Sequence, residues 1–137
     1  MNAMKKSKLL VVEDDPITRF MMAEICEQLG YPHEIAHDGA QCLQMLSARP
    51  DRADIVLLDI HMPGISGLDT CARLREGDAN RKRGLAIIAL TADEFWHDPQ
   101  NCAAAGFDNV LPKPISINGL REVLTLSARP ELKESTG

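Results

Sequence analysis

The sequence predicts a single doubly wound α/β domain on a five-stranded parallel sheet, and three observations predict it. Short apolar runs alternate with longer amphipathic stretches five times along the chain, the pattern of repeated βα units. Three of those runs, Leu9–Val12, Ile55–Leu58 and Ala86–Leu90, are apolar almost throughout, as central strands buried on both faces must be. The length of 137 residues suits one core covered on both sides and is too short for two. One domain over 7–128 is expected, with tails at 1–6 and 129–137.

Strands are expected at Lys8–Val12, His33–Ala36, Ile55–Asp59, Ala86–Leu90 and Asn109–Leu111. In the first helix Asp15 caps, Pro16 takes the first position, Ile17, Phe20, Met21, Ile25 and Leu29 line the inner face, and Gly30 ends it. The second starts at Asp38, turns Leu43 and Leu46 inward and stops before Pro50. A third spans about Ser66–Arg75 with Leu68, Ala72 and Cys71 inside, ended by Gly77. Asp98 and Pro99 open a short alanine-rich fourth that Gly106 closes, and Ser116 caps a fifth that buries Ile117, Leu120 and Leu124.

Composition excludes several functions. The net charge is −5, and the basic residues are scattered except for Arg81, Lys82 and Arg83, so no cationic surface is expected to bind nucleic acid directly. That cluster, between Asn80 and Gly84, reads as a solvated turn. After the basic start Met1–Lys8, the run Leu9–Val12 is cut off by Glu13, Asp14 and Asp15, and no stretch approaches the ~20 apolar residues of a membrane span. Cys26, Cys42, Cys71 and Cys102 have no metal-ligand spacing, so reduced, buried thiols in a cytoplasmic protein are expected.

Right-handed crossovers put helices on both faces of such a sheet and gather ligands at the carboxyl ends of its strands. Glu13 and Asp14 end the first strand, Asp59 the third, Thr91 follows the fourth and Lys113 the fifth. Three carboxylates brought together repel, and one takes a proton unless a cation neutralises them. A hard divalent ion with oxygen ligands suits such a site, and Mg²⁺ suits one with few carboxylates, several waters and a phosphoryl oxygen. Asp59 precedes the loop His61-Met62-Pro63-Gly64, which is expected to leave its carboxylate exposed, ionised near neutral pH and free to attack phosphorus in line. Lys113 and the ion then share the equatorial oxygens, and Thr91 donates its hydroxyl to one of them.

The stretches LLVVEDD, IVLLDIHMPGISG, IIALTA and LPKPI resemble, in order, the motifs of the receiver domains of bacterial two-component systems, and the resemblance covers roughly Ser7 to Ala128. It implies a flavodoxin-like sheet in the order 2-1-3-4-5 and a cis Lys113–Pro114 peptide. It also implies a phosphoacceptor role for Asp59, an acidic pair at Glu13 and Asp14, a switch hydroxyl at Thr91, a charge-stabilising Lys113, and Mg²⁺ or another divalent cation completed by the His61 backbone carbonyl. The implied partners are a sensor histidine kinase or histidine phosphotransfer protein and a downstream protein target. Homodimerisation stays open, because the face of the fourth and fifth helices carries no decisive apolar stripe. Receivers usually carry a ring three residues before the lysine. Here that position is Val110, so phosphorylation is expected to be intact and its readout altered.

Isolated, Glu13-Asp14-Asp15 would be a solvated turn, and its place after a buried strand favours function; Thr91 alone fits a loop hydroxyl and a ligand group equally. His33, His37 and His97 are expected at the surface or at helix ends rather than on a metal. Phe95 and Trp96 read as packing or partner-surface residues. His61 is expected to overhang the site near Asp93. Two other classes compete. An aspartyl-phosphate phosphatase or phosphotransferase would resemble this chain but needs an acid two residues after the nucleophile, where His61 stands. A phosphorylation-independent scaffold would be expected to lose Asp14, Asp59 or Lys113, and points only to Val110. Arg129–Gly137 is too short and polar for an effector domain, so output is expected through protein contact or onward phosphoryl transfer, not through metabolic turnover.

Overall fold

The computed structural model describes residues 6–77 and 84–127. The Arg81–Arg83 cluster and most of both expected tails lie outside the described residues. In chain order the elements are β1 (Leu9–Val12), α1 (Pro16–Leu29), β2 (His33–Ala36), α2 (Gly39–Ala48), β3 (Ile55–Asp59), α3 (Gly67–Glu76), β4 (Ala86–Thr91), α4 (Pro99–Ala105), β5 (Asn109–Pro112) and α5 (Ile117–Ser127). Two 3-10 turns, Pro50–Arg52 and Glu94–His97, join them. Neither turn was foreseen.

All strand pairs are parallel, in the order β2-β1-β3-β4-β5. The pleat alternates side chains between faces. Leu10, Val12, Val56, Leu58, Ile87 and Ala89 pack against Cys42 and Leu46 of α2, Cys71 and Leu74 of α3 and Cys102 of α4. Leu9, Val11, Ile55, Leu57, Ile88 and Leu90 pack against Met22 and Cys26 of α1 and Leu120, Val123 and Leu124 of α5. Each fully buried Leu, Ile or Val favours folding by about 1.5–3 kcal/mol, which fixes the register at the strand ends.

The expected caps form: Asp15, Asp38, Ser66 and Asp98 each accept a backbone N–H at the start of their helix, and Ser116 Oγ accepts from Gly119 N–H at 3.0 Å. Gly30 ends α1 in the left-handed conformation, φ 79°. The inner face of α1 differs from expectation. Met22 and Cys26 are buried, with Ile25 and Leu29 partly so, whereas Ile17 and Phe20 are 70% and 66% exposed and Met21 is 42% exposed. Two apolar stripes share this helix, and the sheet takes the one that continues to Leu29. On α3, Ala72 is exposed and Thr70, Cys71 and Leu74 are buried. A small polar side chain whose hydroxyl bonds Ser66 O at 2.8 Å fits where α2 crosses closely.

The four cysteines are free and buried. Desolvation pushes the Cys26 and Cys71 thiols to about 11 and Cys42 to about 12, which makes them poor nucleophiles. Among the described residues no helix is long and apolar enough to cross a membrane.

Candidate phosphoacceptor site

The site is a consequence of register. Val12 pairs with Leu58, Asp59 with Leu90, and Thr91 with Pro112, so Glu13, Asp59, Thr91 and Lys113 fall along one carboxyl edge. Continuing the pleat sends Glu13, Asp59 and Lys113 toward the α1 and α5 side. Their contacts agree: Lys113 Nζ donates to Glu13 Oε1 at 3.0 Å and lies 3.4 Å from Asp59 Oδ1. One carboxylate oxygen from each of Glu13, Asp14 and Asp59 lies within 4.8 Å of the others. The structure therefore brings all five expected side chains to one edge, together with His61. The Lys113–Pro114 peptide is cis.

One expectation about Asp59 is corrected and another is met. Its residue is 3% exposed rather than open to solvent, its carboxylate set against Glu13 and Lys113 while the helix that follows packs closely on its backbone. Gly67, the first residue of α3, donates its N–H to Ile60 O at 2.9 Å, and a Cβ there would come within 2.6 Å of Ile60 Cα and strike the Asp59 carbonyl. The proton that one of the three acids was expected to take up without a cation falls on Asp59. Burial first, and the Glu13 charge second, push it up to about 7 from 3.8, against the opposing pull of Lys113 and the His61 N–H. That N–H reaches Asp59 Oδ1 at 3.2 Å. Burial disfavours the Lys113 charge, but its bond to Glu13 and the two carboxylates outweigh this and raise its pKa.

With all three carboxylates ionised, one ammonium leaves two negative charges uncompensated, the deficit that a divalent cation would fill. The oxygen donors fit one. Opposite ligands of Mg²⁺ stand about 4.2 Å apart at its usual bond lengths, slightly less than the spread of this cluster, so a shell shared with water matches the spacing. Glu13 already uses Oε1 on Lys113 and Oε2 on the Asp15 N–H, at 3.2 Å, which makes it suited to hold a ligating water. Asp14, half-buried, is the side chain better suited to direct contact.

The Thr91 hydroxyl accepts the Asp93 N–H at 2.9 Å, which leaves its own hydrogen for an incoming oxygen. His61 Nε2 lies 3.5 Å from Asp93 Oδ2, both side chains exposed. Sequence reasoning missed two supports. Arg19 Nη1 donates to the carbonyls of Glu13 and Asp14, at 3.2 and 2.8 Å, and His97 Nε2 meets Thr91 O at 3.0 Å. Neither bears a spacing signal, since both reach backbone atoms that any residue type would supply.

The chain matches the response regulator receiver domain over residues 9–125. It is 35% identical over 120 residues to the sensor histidine kinase RcsC of Escherichia coli K12, covering 88% of this chain and 12% of that protein. It is 37% identical over 114 residues to the response regulator MprA of Mycobacterium ulcerans, covering 82% and 46%. The chain thus spans less than half the length of these curated relatives. Among solved structures it is similar to chemotaxis protein CheY4 of Vibrio cholerae, with a TM-score of 0.80, 25% identity and coverage of 90% and 99%. It is also similar to the receiver domain of a sensor histidine kinase of Pseudomonas aeruginosa, described with magnesium coordinated in its active-site cleft, with a TM-score of 0.75, 30% identity and coverage of 88% and 96%. With sheet order, strand-end acids and sequence in agreement, the chain belongs to the receiver domains of response regulators, signalling domains rather than classical enzymes.

Proposed function

We propose that this receiver, over 7–128 with tails at 1–6 and 129–137, accepts a phosphoryl group from a phosphohistidine on a sensor kinase or phosphotransfer protein, and that Asp59 carries it. The observation that supports this best is the buried Asp59 carboxylate set against Glu13, Asp14 and Lys113 with too few cations to balance them. An Asp59 oxygen forms the new O–P bond as the P–N bond breaks, and the electron pair of that bond stays on the departing imidazole. Lys113 holds one equatorial oxygen and the Thr91 hydroxyl donates to another. Glu13, Asp14, Asp59 and the His61 carbonyl would hold a divalent cation, Mg²⁺ by preference, which would supply charge neutralisation when bound. The exposed Ile17, Phe20 and Met21 on α1 give a donor helix an apolar footing beside the acids. A cytoplasmic site of action and output through a downstream protein complete the reading.

Mass spectrometry after incubation with acetyl phosphate and Mg²⁺ tests it. Wild type is expected to gain one phosphoryl group and Asp59→Asn none. No adduct, or an adduct that survives the substitution, would defeat the proposal.

A further inference from the structure

The Thr91 carbonyl is shared by two donors: the Lys113 N–H and His97 Nε2, each at 3.0 Å. A carbonyl only accepts, so Nε2 carries the proton. His97 closes the 3-10 turn Glu94–His97, and that turn is fastened at both ends. Toward the site, the Asp93 carboxylate accepts the Phe95 N–H at 3.0 Å and the Asp93 carbonyl accepts the Trp96 N–H at 3.0 Å. Toward α4, Asn101 Nδ2 donates to Phe95 O at 2.8 Å, and the Cys102 thiol donates to Trp96 O at 2.8 Å. A continuous run of directional bonds thus joins Thr91 to α4.

Val110 offers no comparable link. It pairs with Ala89 across β4 and β5 and packs, half-buried, on the core; it has neither a ring to swing nor a polar atom to exchange partners. Trp96 packs partly buried on the same core. Phe95, 57% exposed, meets it edge-on with ring centroids 4.7 Å apart.

We propose that His97 is the positioning residue that couples Thr91 to the Phe95–Trp96 turn and α4, so that the state of the site is read through the turn after β4 instead of through residue 110. The inference rests on phosphorylation at Asp59. Thr91 draws toward a bound phosphoryl oxygen, and its carbonyl carries the imidazole and the turn with it.

Trp96 is the single tryptophan, so its emission reports the turn. Wild type, His97→Phe and His97→Gln are treated with acetyl phosphate and Mg²⁺, and adduct and emission are measured together. His97→Phe keeps a ring without a donor, and His97→Gln keeps an N–H near the Nε2 position. All three are expected to form the adduct to the same extent. The emission change is expected in wild type, lost in His97→Phe and restored in His97→Gln, a rescue that mere packing would not give. A full change in His97→Phe, or none in a phosphorylated wild type, would overturn the relay. Absence of the adduct in wild type would instead defeat the phosphoacceptor reading, and the relay with it.

Discussion

The two edges of one sheet use aspartate in opposite ways. At the amino edge Asp54 precedes β3 and accepts the Lys8 N–H at 2.8 Å, while Asp108 precedes β5 and accepts the Ile87 N–H at 2.8 Å and Arg75 Nη2 at 2.7 Å. At the carboxyl edge Asp59 has a long 3.2 Å bond from the His61 N–H and an ammonium at 3.4 Å, and it faces Glu13. Strand starts present N–H groups, so an acid there is consumed in closing the fold. Strand ends present carbonyls, so Asp59, unlike the helix-capping Asp15 and Asp38 beside that edge, is not consumed in closing the fold and is left for chemistry.

Removing the ammonium should have the largest effect. With no divalent ion at pH 8, Lys113→Met is expected to lose about 3 kcal/mol in urea unfolding, as buried acids do when they lose their partner. The loss should shrink at pH 5, where Asp59 takes up a proton; an equal loss at both would show that Lys113 does not offset these charges. A sharper test exploits opposite signs. Asp108→Ala should destabilise by about 1–3 kcal/mol, because a strand N–H loses its acceptor, whereas Asp59→Asn should stabilise the ion-free protein by about 1 kcal/mol. Losses in both variants would break the contrast between the edges.

The pH dependence has a definite sign. Asp59 sits near 7 in the folded ion-free protein against 3.8 ordinarily, so the folded state holds its proton more tightly. Its contribution is full below about 4 and fades as pH rises through about 7. Urea midpoints with chelator should fall across that window, and the fall should be smaller in Asp59→Asn; identical slopes would remove Asp59 as the cause. The smallest effect is expected at the rim. His61 and Asp93 form an exposed pair worth under about 1 kcal/mol, so His61→Ala and Asp93→Ala should each change the phosphoryl half-life by no more than about fivefold. An unchanged half-life in both would show that the pair does not govern water access.

The strands and caps were legible because burial on both faces and N–H accounting act over a few neighbouring residues. The convergence of Glu13, Asp14, Asp59, Thr91 and Lys113 was legible for the same reason, since strand ends are local signals and parallel topology aligns them. The α1 face was misread because Ile17, Phe20 and Met21 form a stripe as periodic as the one containing Met22 and Cys26, and only the sheet chooses between them. The burial of Asp59, which no motif encodes, was missed; it adds to the carboxylate repulsion that was expected to make one of the three acids take up a proton. Thr91's second contact, from His97, spans a turn whose fold rests on Asp93, Asn101 and Cys102 together.

Arg19 leaves one last implication. It stands on the same helical stretch as Ile17, Phe20 and Met21, and its guanidinium props up the carbonyls of Glu13 and Asp14. Under the docking proposed above, a visitor that grips this stretch would lean on the scaffolding beneath the acidic pair, so that recognition and readiness for chemistry would share a single mount.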